Sequence, residues 1–501
     1  MSFGSRGRVW FPVSQGGGSR RSTAGLLVGG GHSVGVNCRI FRYPGRGSCH
    51  YWSVRSSSAP TSCPPRPPFA GAKAILIAVA AASLLAVPAA AQSLSFIPLP
   101  PPASPRDLLF NPISNKLYTA NTPQTGAPSN ESVTIIDGTT GAIVTTIPVS
   151  AGPRDFCLNT RENKVYVANY FADSVTVIDG ASDQVLAVIP VGDGPRALCY
   201  GSVGNRIYCA NEFSANVTVI DGTTNAVVAT VAVGSTPRVI CYNPTGDKIY
   251  CPNAGSQSVS VISGSTNSVV ATVPVGSVPR GILFNPQSNR VYCSNYGSDT
   301  VSVIDGVTNA VVATVPVGDG PTAMGHNPIG NKVYVSNVGA PGPGTPPACS
   351  VSVIAGASNA VVKTLPAGDE PTAFCYSAND RRVYWVNEWS HSIAGVDAAT
   401  DTQVALVPLA AGGTQVQPVD IAYNSANGRV YTANRLTFEV GVLATVPVGC
   451  TADLDGSGAV DGADLGALLN GWGSPGTTDL DGSGTTDGAD LGSLLAGWGP
   501  C

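Results

Sequence analysis

The chain carries little charge and few of the side chains most often used for chemistry at neutral pH. Only 12% of its 501 residues are Asp, Glu, Lys or Arg, and there are four His and two Met. Beyond residue 91 only His326 and His391 remain, too few for a multi-His copper cluster, and no Cys-x-x-Cys-His haem attachment motif occurs. Acidic residues are missing altogether from residues 1–91, where nine Arg and Lys73 lie. Without those ten cations, 17 basic residues face 31 acidic ones, so the remainder is acidic and unsuited to nucleic acid as a general partner. Apolar runs of membrane-spanning length are missing too. The longest, Ala74 to Val87, is short for a spanning helix.

That run has its own meaning. Arg66 and Lys73 precede it, and Ala89-Ala90-Ala91 follows it before Gln92. A basic flank, a short apolar run and an A-x-A site describe a secretory signal peptide over 66–91. Residues 1–65, rich in Gly, Ser, Arg and Pro, read as a low-complexity basic extension upstream of the true start. The expected location is secreted or cell-surface, with no transmembrane span after cleavage.

What is present is repetition. Gly (59) and Pro (40) are abundant, and the apolar residues are largely β-branched, which suits many short strands joined by tight turns. Pro279 to Gly318 holds four apolar runs, at 281–284, 290–293, 300–304 and 310–317, separated by Asn285-Pro286, Asn295 and Asp305-Gly306. Equivalent units open at Pro105, Pro153, Pro195, Pro237, Pro321, Pro371 and Pro418, and each carries Tyr-x-x-Asn in register, from Tyr118 to Tyr431. A four-stranded unit has two apolar faces that only neighbours can bury, so the units must close into a ring. The expected fold is an all-β propeller over 92–449, with eight blades favoured and seven the alternative. Ser93–Pro100 matches the outermost-strand text and is expected to complete the last blade.

The tetrapeptides YVAN at Tyr166, YVSN at Tyr334 and YTAN at Tyr118 and Tyr431, followed by SVTVIDG and VVATVPVG text, resemble the YVTN family of propeller repeats. The resemblance implies an extracellular or envelope propeller without assigned enzymatic activity.

One face of such a ring collects the start of each first strand and the loop after each second strand. Arg106, Arg154, Arg196, Arg238 and Arg280 follow the opening Pro of five consecutive units, and Tyr170, Phe213, Tyr296 and Trp389 occupy the loop. This set suits a protein or anionic glycan ligand; the alternative is that each Arg pairs locally and fixes the start of its blade. Asp107, Asp155, Glu131, Glu212 and Glu388 lie near the same face, where paired acids would support catalysis. The repeat cysteines read as small buried residues, or else as hairpin bridges Cys199–Cys209 and Cys241–Cys251.

Residues 450–501 break the pattern. Asp453, Asp455, Ser457, Asp461 and Asp464, and again Asp479, Asp481, Ser483, Asp487 and Asp490, place oxygen ligands at positions 1, 3, 5, 9 and 12 of a calcium loop, with Ala459 and Thr485 offering carbonyls at position 7. Two Ca²⁺ are expected. Leu465, Leu468, Leu469 and Trp472, and their counterparts 26 residues on, fall on one helical face. Two tandem loops ending in Asp resemble a type I dockerin, a small α-helical EF-hand-like module, which implies a cohesin-like or scaffold partner. Cys450 and Cys501 bracket the module as a candidate disulfide contributing about 4 kcal/mol. The whole therefore reads as a secreted, non-enzymatic binding propeller anchored through calcium; the alternative is a propeller enzyme, lactonase-like or glycan-active, on the same tether.

Overall fold

The computed structural model describes residues 92–101, 103–123, 131–339, 349–409, 415–445, 454, 459–460, 462–474, 478, 485–496 and 499–500. The expected extension, the signal peptide, and Cys450 and Cys501 lie outside them.

Eight four-stranded antiparallel sheets follow one another along the chain. The fifth is made of Pro279–Asn285, Arg290–Asn295, Thr300–Asp305 and Val311–Pro316. Val, Ile and Thr fill it because side chains branched at Cβ favour extended backbone. Its second and third strands are almost wholly buried, whereas the outer strand is mostly exposed. Each blade packs its first strand against that of the next, and Pro105–Asn111 meets Pro418–Asn424, so the ring closes with eight blades rather than seven. An apolar cluster fills every interface; between the second and third blades it includes Tyr166, Val175, Val177, Ile207, Cys209 and Ile220.

The seam is made by the two ends of the propeller segment. Leu94–Pro98 pairs antiparallel with Glu439–Ala444, from Leu94 opposite Leu443 to Pro98 opposite Glu439, as the outer strand of the last blade.

The two fixed residues of Tyr-x-x-Asn do different jobs. The Tyr reaches across an interface: the Tyr166 hydroxyl lies 2.9 Å from Asn225 Oδ1, and Tyr250 3.1 Å from Asn309 Oδ1. The Asn stays within its blade, where Asn253 Nδ2 donates to Ser258 and Ser260 and Asn121 Nδ2 to Ser132 and Thr134. A second inter-blade link joins the end of each of several first strands to the next blade's turn: Asn111 to Asn163 at 2.8 Å, Asn243 to Asn289 at 2.9 Å, Asn285 to Asn331 at 2.7 Å. The acceptor Asn residues sit at φ between 47° and 49°, a left-handed conformation that Asn tolerates better than most residues.

The repeat cysteines are free. Cys199 lies opposite Tyr208 and Cys209 opposite Leu198, so the two thiols of that hairpin occupy adjacent rungs and opposite faces. The hairpin-bridge alternative is thereby corrected in favour of small buried side chains.

In the C-terminal segment, helices Gly462–Asn470 and Gly488–Ala496 meet through buried Leu468 and Leu494, with Leu465 and Leu491 beside them. Ala459–Val460 pairs with Gly499–Pro500. The single apolar face expected from spacing is corrected: Leu469 and Leu495 are exposed, and Trp472 lies exposed beyond the end of its helix. No helix among the described residues is long and apolar enough to cross a membrane.

Candidate active site at the mouth of the ring

The first strand of the fifth blade pairs Pro279 with Asn295 and Gly281 with Ser294, leaving Arg280 as the extra residue of a bulge. The same shift occurs at Arg106, Arg154 and Arg196. A bulge turns its extra side chain away from the ladder, and the repeated Arg thereby reaches the mouth. Arg435, which follows the second strand of the last blade, joins this arc: it and Arg154 repel Arg106, whose pKa burial, the larger cause, and this crowding push down to about 10.

These guanidinium groups have unequal partners. Arg154 lies 4.9 Å from the Tyr170 ring centroid, and Arg280 stacks at 3.6 Å on Tyr296. Glu212, with a side chain only 4% exposed, takes Arg196 Nη1 and Arg238 Nε, each at 2.8 Å, and the Tyr170 hydroxyl at 3.0 Å. Burial opposes its charge, but Arg196, Tyr170 and Arg238 outweigh that and hold its pKa below the ordinary value. Local pairing therefore accounts for Arg196 and Arg238, whereas Arg106 and Arg280 each keep a buried Nε with no partner. Tyr170 also touches Phe213, at 5.8 Å between centroids. Trp389 bonds Glu370 on the seventh blade.

One residue further along the first strands, three blades carry Asp: Asp420, Asp107 and Asp155, from the eighth, first and second. Asp420 accepts the backbone N–H of Leu108 at 2.8 Å, and Asp155 that of Leu198 at 2.6 Å, so each caps the exposed inner edge of the next blade. Asp107 lies close enough to both Asp420 and Asp155 for their charges to act on it. The three residues are largely buried, with part of their surface accessible. Burial, Asp420 and Asp155 push the Asp107 carboxyl well above the ordinary range, burial raises Asp155 to about 7, and burial raises Asp420 to about 6. Asp107 accordingly keeps its proton to higher pH than Asp420. Asp420 was not among the residues singled out from sequence, although it holds the same place after Pro418 that Asp107 holds after Pro105. Of the other acids, Glu388 is kept protonated to higher pH by burial and Glu370, against Arg435 and Arg106. Glu131 sits at the start of a third strand and draws no such network.

Of the expected calcium ligands, Asp453, Asp455, Ser457, Asp461, Asp479, Asp481 and Ser483 lie outside the described residues. Asp464 and Asp490 are fully buried; Asp464 accepts Leu454 N–H at 2.6 Å and Asp490 that of Asp487 at 2.7 Å. Asp487 accepts Ala489 N–H, and Thr485 is exposed. Two buried carboxylates at position 12 of their loops fit an oxygen ligand set for a hard cation. Among the described residues no group of three or more His, Cys, Asp or Glu is gathered for a metal.

Comparison with known proteins bears on the mouth. A family model described as "Lactonase, 7-bladed beta-propeller" matches residues 180–310, which span the third and fourth blades and most of the fifth. That stretch contains Arg196, Glu212, Arg238, Arg280 and Tyr296. No curated protein sequence matches. Among solved structures the chain is similar to one titled "Kuenenia stuttgartiensis Hydrazine Synthase", at 19% identity and a TM-score of 0.47 over 59% of this chain and 97% of that one. The fold defines the class, an eight-bladed all-β propeller, one blade more than that family's description. The family match overturns the expectation of a non-enzymatic binding propeller. That expectation rested on the YVTN resemblance and on the scarcity of His; the three raised carboxyls supply proton donors and acceptors without His.

Proposed function

We propose that the propeller is a lactonase-like hydrolase that opens cyclic esters at the mouth of the ring. The observation that carries this reading is the cluster of Asp107, Asp420 and Asp155 on the face lined by arginine, in which Asp420 and Asp155 are held by the backbone N–H groups of Leu108 and Leu198. At neutral pH Asp420 is the ionised member and Asp107 the protonated one. Asp420 takes a proton from water as its oxygen adds to the lactone carbonyl carbon. Arg106 and Arg154 stabilise the oxyanion that forms. The carbonyl re-forms as the ring C–O bond breaks, and Asp107 protonates the departing alkoxide; the products are a hydroxy acid and a pair ready to exchange its proton with solvent.

The tether is part of the same proposal. The chain is secreted, residues 450–501 bind two Ca²⁺ through the two loops in a dockerin-like module, and that module docks on a cohesin-like or surface scaffold. Hydrolysis of D-glucono-1,4-lactone by the full chain, followed in a pH-stat, tests the activity: turnover that Asp420→Asn abolishes is expected, and equal rates for the two proteins would overturn it. Retention on a scaffold-protein resin in Ca²⁺ but not in chelator tests the tether.

A further inference from the structure

The outer strands of the eight blades end alike, with one exception. Seven close on an exposed Pro, from Pro98 and Pro148 to Pro408. The third blade closes on Ala232, which is also exposed. Its text from Val227 to Gly234, VVATVAVG, matches Val269–Gly276 and Val311–Gly318 of the next two blades, VVATVPVG, at every other place.

That place points out of the blade. In every blade the residue after it donates its N–H inward to the start of the third strand, as Val233 does to Ala215 and Val275 to Gln257, each at 3.0 Å. Backbone groups alternate in direction along an antiparallel ladder. The Pro position therefore faces the free edge, where a Pro ring removes the donor and obstructs an added strand. Ala232 leaves the edge open, and Thr230, two residues earlier, faces the same way. The residue opposite does not exclude Pro: Ala232 pairs with Asn216, whereas Pro98 pairs with the longer Glu439.

Charge and register limit what the open edge can take. No charged residue stands between Asp221 and Arg238. A groove of about 590 Å³ runs beside Ala232 toward Ser258, Thr272 and Pro274 of the fourth blade, and none of the residues that line it is charged. An uncharged strand rich in β-branched residues fits there with no like charges opposed. The chain itself carries such a strand. Pairing Ala232 with Thr230 of a second copy, and Thr230 with Ala232 of that copy, puts Val231 on a two-fold axis. Four N–H···O=C bonds result, each copy giving two and taking two.

We infer that the third blade is a dimerisation edge, through which two copies join antiparallel along Val227–Ala232. Their two four-stranded blades become one continuous sheet. This assembly is independent of the hydrolase reading.

The test uses the full chain. Sedimentation velocity over a concentration series should show a monomer–dimer equilibrium. Ala232→Pro removes two of the four bonds and should weaken association at least about tenfold. Its circular dichroism and melting should match the wild type, since seven blades fold with Pro in that place. Hydrogen exchange of the wild type supplies a second reading that needs no variant. The segment 227–233 should exchange more slowly in concentrated than in dilute solution, while 269–275, its counterpart in the fourth blade, exchanges alike in both. A wild type that stays monomeric at every concentration, an Ala232→Pro variant that associates as tightly as the wild type, or exchange at 227–233 that ignores concentration overturns the inference.

Discussion

The Asp107 and Asp420 carboxyls are neighbours across the seam where the first and last blades meet, and the Asp420 charge helps push the Asp107 carboxyl up. The same Asp420 accepts the N–H of Leu108, the next residue in the first blade, at 2.8 Å. A pair of neighbouring acids releases its two protons at well-separated pH values, because the second charge must form beside the first.

The pH dependence of lactone hydrolysis follows from that pair. Activity should rise through about pH 6 as the pair loses its first proton at Asp420, and fall at higher pH as Asp107 loses the second. Asp420→Asn should lower kcat by about 10²–10⁴ while circular dichroism stays unchanged. A pH–rate profile that is flat from pH 5 to 8 contradicts the assignment.

Asp155 gives a prediction about stability. The folded chain holds this proton to about pH 7, whereas an unfolded Asp releases it near 3.9. Between those values the folded state binds more protons than the unfolded state, so stability falls as pH rises through the window. Asp155→Asn should therefore melt like the wild type at pH 4 and a few degrees higher at pH 8. A variant less stable at pH 8 than at pH 4, in step with the wild type, would show that Asp155 is ionised throughout.

The Asp-Gly turns act in the opposite sense. Asp305 accepts the N–H groups of Val307 at 3.0 Å and Thr308 at 2.8 Å, and these bonds, those of Thr308 foremost, hold its carboxyl below the ordinary range. Asp137, Asp179 and Asp221 make the same turn. Their contribution is present above about pH 4 and is lost as pH falls through the depressed pKa values. Asp305→Ala should cost about 1 kcal/mol at pH 7 in a urea titration, and much less at pH 2.

At the seam, Ile97 packs into the cluster shared by the eighth and first blades, while Ser95 on the same strand is exposed. Ile97→Asp should lower stability by about 2–4 kcal/mol, and Ser95→Asp should change it little. Equal melting curves for the two variants would mean that this strand does not close the ring in solution.

Much of this architecture was legible because each blade repeats the same problem. The spacing of Pro and of Tyr-x-x-Asn marks first and second strands in every unit, and an unclaimed outer-strand segment at Ser93–Pro100 implies a seam. The site was less legible. Asp420 follows Val419 rather than Arg, so its unit looks exceptional, and nothing in the chain says that it meets Asp107 from the other end of the propeller. Arg435 comes from the turn after a second strand, whereas the other arginines follow the opening Pro of their units. In the C-terminal segment, spacing alone assigned Leu469 and Trp472 to the face of Leu468, but Leu469 is exposed within the helix and Trp472 lies beyond its end at Asn470. Periodicity describes a face only as far as the helix extends.

The bulge after each opening Pro has a consequence for how such a ring can change. Its extra residue takes no part in the ladder, so its side chain can change without breaking a strand pair. Thr322, Thr372 and Val419 occupy the place in three blades that Arg occupies in five. Each blade thus offers one interchangeable socket around a common rim, and a new specificity can be assembled a socket at a time with the fold left as it is.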